Sequence, residues 1–388
     1  MIAWFFSNLC ARLEVTLNYR IRLQRFVVPS ACAVGALLNI WLACTVFLPG
    51  AWQGRNDFLG LYAGARLVGG PDLYDHDAVR NVHLQSIGET GEIPFVRPPC
   101  YALFLRPLGL LPYRTAYAVW ATLLAAALAG FTALWPGASS SARWLICCWS
   151  LPAFVSLFNG QDVLLLLLWT ALAACLVRAG KPAAAGMVLT LCASKFHLVA
   201  LVPIVILAQR RWRMAGGVAV GGCVLLALSF AAAGRSWPLR YYAVLTDGRI
   251  NPSVDHMPNL HSLLGVGRFG LPLQIAAGLV LAVGLFLVAR STSDFAGPLA
   301  LALVAGVLVG FHGYLSDAAL LLPALIAFST ADYARLPALA LITPVPWFLL
   351  HLPRPLPALT QLLIVTLAAA GFMWIWKRNK ESPPVRSG

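Results

Sequence analysis

Asp57 follows Arg55-Asn56 at the start of the first long polar stretch of a chain that is otherwise mostly apolar. A carboxylate just outside a bilayer can take a proton from a substrate delivered by lipid without entering the hydrocarbon, so the expected chemistry sits at a membrane face and Asp57 is its candidate base. Cations that could receive an anion stand elsewhere in the chain. Lys195 lies between two apolar runs, where a lysine at membrane depth costs about 2.5 to 3.5 kcal/mol and is usually paired or lines a pathway. Arg97 precedes Pro98-Pro99 and has the fork for a bidentate contact with phosphate oxygens. His312, Tyr314 and Asp317 end a long apolar segment and can complete a polar wall, and Asn159-Gly160-Gln161 offers two amides on one turn.

Each of these residues has a quieter use. Asp57 suits a helix N-cap, Lys195 can snorkel from a helix end, and Asn159 and Gln161 can satisfy backbone groups in a loop. Asp317 can pair with an arginine, and Asn259 with Ser262 can cap the helix that follows. Trp41, Trp52 and Trp237 near segment ends read as interfacial anchors. Asp72, Asp75, His76 and Asp77 are close in sequence, but adjacent positions on a turn do not converge on one ion, so capping is expected and no metal.

The elements that must hold these groups follow from composition. With 60% apolar and 11% charged residues and a mean hydropathy of +0.78, the chain reads as an all-α, polytopic membrane protein with no separate water-soluble domain. The formal charge of +14 does not point to nucleic acid, because the cations are dispersed into short loops between apolar runs. Nine cysteines lie almost all inside apolar segments, and neighbours Cys147-Cys148 lack the spacing of a zinc site.

Run length and arginine placement give about twelve crossings. Outward ones fall near 27–48, 143–158, 183–194, 214–233, 296–312 and 336–351; returning ones fall near 114–135, 162–177, 198–208, 271–289, 318–330 and 358–376. The first run follows a basic segment with Arg12, Arg20, Arg22 and Arg25 and is long enough to be a retained anchor. Residues 1–26 then form a cytoplasmic N-terminal segment, 27–376 the membrane domain, and 377–388 a cytoplasmic tail beginning Lys377-Arg378. A single crossing between the basic clusters Arg178/Lys181 and Arg210/Arg211/Arg213 would put one of them outside. A short hairpin resolves the conflict, its arms each roughly 18 Å long, with Lys195 near the tip.

Two long loops, 49–113 and 234–270, fall on the outer side. Asp57, Phe58, Leu61, Tyr62, Ala65 and Leu67 have helical apolar spacing, with Asn56 or Asp57 as N-cap, so a helix lying flat on the membrane is expected there. Gly69-Gly70-Pro71-Asp72 breaks it and Asp75 can cap a second amphipathic helix. Residues 98–112 are too short to span and read as a re-entrant or surface element.

Several short boxes occur in order: Asn56-Asp57-Phe58, Gly70-Pro71-Asp72-Leu73-Tyr74, Arg97-Pro98-Pro99, Pro107-Leu108 with Leu111-Pro112, Asn159-Gly160-Gln161, and Lys195 before a run ending in Arg210-Arg211-Trp212-Arg213. Through these the chain resembles glycosyltransferase family 87 of the membrane-embedded GT-C superfamily, over roughly residues 55–325. It departs from the family pattern at Phe196-His197, where proline often follows the lysine, and at Ser316, where tyrosine often precedes the late aspartate. The resemblance implies a GT-C-type bundle and transfer of mannose from a polyprenyl-phosphate donor, with Asp57 as base. Such a donor needs one base and cations, because its phosphate departs as an anion, with a second pKa of about 6, whereas hydrolysis to an ordinary alcohol usually needs two carboxyl groups. Direct displacement with inversion is expected, with Lys195, Arg97, His312, Tyr314, Gln161, Asn159 and Asp317 around the donor phosphate or sugar. The implied partners are the lipid-linked donor, a lipid or glycan acceptor of the envelope, and membrane lipids, with no cofactor; the implied place is a bacterial inner membrane, its site facing the periplasm. Transport or flipping of a lipid-linked sugar is the competing class, since it too would place Lys195, Asp317 and His312 in the membrane. A scaffold without chemistry would leave the costly Lys195 unexplained.

Overall fold

Long apolar runs must satisfy their own backbone groups, and helices do so within one segment. The computed structural model describes residues 26–88, 93–248, 254–265, 269–328 and 331–381, and among them there are helices and no strand. The basic residues Arg12, Arg20, Arg22 and Arg25 and the tail after Glu381 lie outside the described residues.

The first run forms α1 (Val28–Leu42), a π-helical stretch (Ala43–Phe47) and α2 (Leu48–Trp52). The first long loop holds α3 (Phe58–Leu67), α4 (His76–Ile87) and α5 (Pro99–Gly109). Then come α6 (Tyr113–Leu134), α7 (Ser140–Trp149), α8 (Leu151–Phe158), α9 (Val163–Arg178), α10 (Pro182–Thr190) with a 3-10 stretch (Leu191–Leu198), α11 (Val202–Ala208) and α12 (Trp212–Ala233). The second loop holds α13 (Trp237–Leu245) and α14 (Leu260–Leu264). The last third contains α15 (Gly270–Arg290), α16 (Ala296–Val309), a 3-10 stretch (Leu315–Leu321), α17 (Leu322–Phe328), α18 (Asp332–Ile342), α19 (Val345–Leu349) and α20 (Leu356–Glu381).

Among the described residues, five helices are long and apolar enough to cross a membrane: Pro29–Trp52, Tyr113–Leu134, Trp212–Ala233, Gly270–Arg290 and Leu356–Lys380. The run expected as one crossing at 143–158 is α7 and α8, bent by 64° at Ser150, whose hydroxyl accepts from the Ala153 amide at 3.4 Å. The run expected at 336–351 is also broken. Thr343 is extended before Pro344, since a residue ahead of proline is pushed out of the helical region.

The hairpin around Lys195 follows from how α10 meets α12. A Cβ on Gly186 would lie 2.1 Å from the Met214 carbonyl oxygen, one on Gly217 2.0 Å from that of Ala183, and one on Gly221 2.5 Å from the Thr190 hydroxyl. The Thr190–Gly221 contact lies further along both helices than the Ala183–Gly217 and Gly186–Met214 contacts, so the helices run parallel in backbone contact, and the chain between them goes out and returns. Arg178/Lys181 and Arg210/Arg211/Arg213 therefore share one end. The Gln209 amide donates to the carbonyls of Thr292 and Asp294, Arg211 to Ser293, and the Asn379 amide to Ser291. These bonds bring the 291–294 turn and the C-terminal part of α20 to the same end.

Two expectations are corrected. Helix α3 is not the one-faced helix that apolar spacing suggested: Phe58 to Ala65 are buried without exception. Glycines on α3 let the chain pack on the side that apolar spacing would have left open. A Cβ on Gly60 would meet the Pro94 carbonyl oxygen at 2.7 Å and one on Gly64 the Phe95 ring at 2.2 Å, so the segment 93–97 crosses α3 and carries Arg97 inward. Trp237 is not an interfacial anchor but is buried against Phe230 and Tyr241. In contrast α4 is one-sided, burying Val79, Val82 and His83, and Asp75 caps it by accepting from the Ala78 amide at 2.8 Å. The 98–112 stretch forms the eleven-residue α5, packed on α3 and α12.

Candidate active site

The residues 56–58 divide three tasks. The Asn56 side-chain oxygen accepts from the Leu59 amide at 3.3 Å and the Tyr113 hydroxyl at 3.0 Å, while its amide donates to the Ala51 carbonyl at 3.0 Å. Asn56 thus supplies the cap of α3. Phe58 sits within about 6 Å of the rings of Tyr62, Tyr113, Tyr117 and Trp120. Asp57, between cap and anchor, makes no capping bond, and its side chain is left to face inward.

What it meets there is the turn after α8. Asn159 Nδ2 and Gln161 Nε2 both donate to Asp57 Oδ2, and among the described residues no hydrogen bond is made to Oδ1. The turn does not need those side chains for its own backbone. Tyr117 donates to the Phe158 carbonyl at 2.6 Å, Trp120 Nε1 to that of Gly160 at 2.8 Å, and Ser156 to that of Gln161 at 3.1 Å. Gly160 has φ +70°, and a Cβ there would stand 2.6 Å from the Phe58 Cβ, so glycine both permits the left-handed turn and brings it against α3.

Lys195 is buried, not snorkelled, at 4% exposure. Its ammonium donates to Asp317 Oδ1 and to Gln161 Oε1, each at 2.6 Å, and lies 3.7 Å from Asp162 Oδ1. The 3-10 stretch that carries it breaks helical geometry at Lys195 itself, φ −127° and ψ 58°. Gly306 of α16 lets this stretch approach, since a Cβ there would lie 2.0 Å from the Leu198 carbonyl oxygen. Asp317 completes the clamp. Its other oxygen accepts from the Tyr314 amide at 2.8 Å, and the partner of its carboxylate is a lysine, where an arginine was the alternative.

The fork of Arg97 is occupied by a residue that sequence reading passed over. Nε donates to Asp162 Oδ2 and NH2 to Asp162 Oδ1, each at 2.9 Å, and Asp162 is fully buried. Arg97 is therefore held by a carboxylate in the arrangement foreseen for phosphate. Asp162 stands directly after Asn159-Gly160-Gln161 at the head of the apolar α9; an acid at that depth needs a cation, which was the available signal.

These groups border a cavity of about 640 Å³, lined among others by Asp57, Arg97, Gln161, Lys195, His312, Tyr314 and Asp317. Asn159 does not line it and stands behind Asp57. His197, His261, Tyr241 and Met257 also line it, together with Leu61, Phe196, Val244 and Phe311. His312 meets Tyr314 edge-on, with ring centroids 4.8 Å apart. Asn259 caps α14 by accepting from Ser262 at 3.0 Å and donates to the Gly310 carbonyl at 2.8 Å, fixing the approach to His312.

Burial pushes the Asp57 carboxyl above the ordinary carboxylate range, while the Gln161 hydrogen bond and the charges of Lys195 and Arg97 pull the other way. A carboxylate with one oxygen held and one open, a raised proton affinity, and a lysine across the same cavity can take a proton from a hydroxyl and accommodate an anion nearby. Among the described residues no group of three metal-ligating side chains is placed around one ion. A family model described as glycosyltransferase family 87 matches residues 95–323, more than half of the chain. No curated protein and no solved structure matches it.

Proposed function

The chain belongs to glycosyltransferase family 87, and from that premise we propose that it transfers a hexose, mannose by the resemblance of its motifs, from polyprenyl phosphate to a hydroxyl of an envelope glycolipid or glycan. The observation that carries the reading is the open Oδ1 of Asp57, on a carboxylate whose Oδ2 is gripped by Asn159 and Gln161. Oδ1 takes the acceptor proton as the oxygen attacks the anomeric carbon. The bond to the phosphate oxygen breaks on the opposite face, giving inversion, and the phosphate leaves as an anion that needs no protonation. Lys195 meets that anion with the part of its ammonium not engaged by Asp317 and Gln161, and His312 and Tyr314 add donors in a site shielded from bulk water. Arg97, already paired with Asp162, holds Gln161 and Asp162 in place and contributes its charge at a distance.

The membrane setting proposed is a bacterial inner membrane crossed about twelve times, with the cavity on the periplasmic side. Supporting it, Arg178, Lys181, Arg210, Arg211 and Arg213 share the end opposite the cavity. Asp162 and Arg178 stand at the two ends of the sixteen-residue α9, roughly 24 Å apart at 1.5 Å per residue. Apolar Leu61, Phe196 and Phe311 in the cavity lining suit a lipid-borne donor.

The test is transfer from radiolabelled polyprenyl-phosphate-mannose to extracted envelope lipids and glycans by the protein in nanodiscs, wild type against Asp57→Asn. Loss of a general base lowers the rate by roughly 100- to 10,000-fold, and the variant should keep its melting temperature because asparagine retains an acceptor oxygen. Translocation of the intact lipid-linked sugar with no new glycosidic bond would overturn the reading in favour of a transporter.

A further inference from the structure

A second cavity, of about 440 Å³, opens beside the first, between the turn that follows α3 and helix α13. The two share Pro94 and Val244 as a common wall. Tyr74 stands in that wall. Its hydroxyl donates to the Arg97 carbonyl at 2.7 Å, and its ring lies 6.0 Å from that of Phe95 and 5.6 Å from that of Tyr241, which faces the reaction cavity. Across the opening, Arg240 donates to the Pro71 carbonyl and ties α13 to the turn.

The lining is unlike that of the first cavity. Among the described lining residues other than Asp247, Asp72 and Asp75 outnumber the single guanidinium of Arg240, so the field at the mouth disfavours a phosphorylated ligand. Carboxylates accept hydrogen bonds only, and a ligand rich in hydroxyls supplies them, while the half-buried ring of Tyr74, backed by Phe95, suits the apolar side of a sugar ring. Asp75 already accepts from Ala78 with one oxygen; Asp72 and His76 are exposed on the rim.

We propose that this cavity holds the non-reacting sugars of the acceptor, that these sugars form a neutral glycan segment, and that only the terminal hydroxyl reaches Asp57. The inference rests on the transferase reading above and adds the place and charge of the acceptor. It explains why the loop carrying the Gly70-Pro71-Asp72 turn is bonded to α13 across an opening, where a tether alone would need no such contact.

The experiment uses the full chain in nanodiscs, with envelope glycans tritiated and separated by anion exchange into neutral and anionic fractions, and compares wild type with Asp72→Ala/His76→Ala. Product should form from the neutral fraction, and the double variant should raise the acceptor KM roughly tenfold, the loss of one or two hydrogen bonds to charged groups. The donor KM and the melting temperature should hold, which a merely structural role for the rim would not allow. Product from the anionic fraction alone, or an unchanged acceptor KM, overturns the proposal. If wild type transfers to neither fraction the transferase reading fails, and equilibrium binding of the tritiated neutral fraction decides the cavity: saturable binding lost in the double variant supports a neutral-glycan site, and its absence in wild type overturns it.

Discussion

At the scale of single residues, Asp57 is left available because its neighbours remove the other duties it could have had. Asn56 takes the cap and Phe58 the packing, so the carboxylate has only the amides of Asn159 and Gln161 to satisfy. Its raised pKa has opposite effects on stability and rate. The fold favours protonated Asp57, so its contribution to stability is full below the ordinary carboxylate pKa and is lost as pH rises through the raised value. Transfer by the proposed mechanism needs the ionised form and gains across that same window. The acid limb of kcat/KM should therefore lie above the roughly 3.9 of a free aspartate, and a pH profile in nanodiscs with a limb at or below that value would count against Asp57 as base. The Arg97–Asp162 pair gives a second expectation. Asp162→Asn strands a buried guanidinium and should cost about 3 to 5 kcal/mol, whereas Arg97→Met/Asp162→Leu should recover most of the melting temperature without recovering transfer. That Asp57 stands at the head of a helix was legible from its place in a polar loop. Asp162 was harder to read because its partner lies 65 positions away, a contact that neither spacing nor periodicity encodes.

Among the elements, the one that matters most is the turn from α8 to α9. Three side chains from α6 and α8 hold its carbonyls, and Gly160 lets it close on Phe58, so the amides that orient Asp57 have little freedom. Gly160→Ala adds left-handed strain of roughly 1 to 2 kcal/mol and pushes on Phe58. Gly180→Ala has the same φ of +70° with nothing within 4 Å. Comparing the two by thermal unfolding and transfer should show a modest stability loss in both and a loss of transfer in Gly160→Ala alone; equal activity would mean that the turn does not orient the base. Long helices were legible here, since run length alone located α6, α12, α15 and α20 to within a few residues. The one-faced reading of α3 failed for a physical reason: apolar spacing marks one buried face, and it cannot register that Gly60 and Gly64 admit a crossing chain on another. The break at Thr343 lies directly before Pro344, whose effect on the preceding backbone was there to be used, and Ser150 caps a helix whose second residue is Pro152, a position that proline tolerates.

For the molecule as a whole, charge placement carried the topology further than hydropathy did. The conflict between two basic clusters required a hairpin around Lys195, and the parallel contact of α10 and α12 meets that requirement. The second cavity, helix α13 and the first cavity lie together at the other end, which no pattern in the sequence joined, because they are assembled from loops far apart in the chain. The glycine contacts between α10 and α12 also bear on how the protein is made. The nine residues of α10 and the seven of α11 reach roughly 14 and 10 Å against a hydrocarbon core of about 30 Å, so neither helix of the hairpin spans a bilayer by itself. The arms need α12, which the ribosome makes later. In a chain with its native cysteines replaced, Thr190→Cys should react with a water-soluble maleimide when synthesis stops at Arg213 and be shielded when it continues through Gly234; equal protection in both would place the hairpin in the bilayer before its neighbour. On this order the lysine waits outside for a helix that follows it in the chain, and the enzyme acquires its internal cation only after that helix has been synthesised.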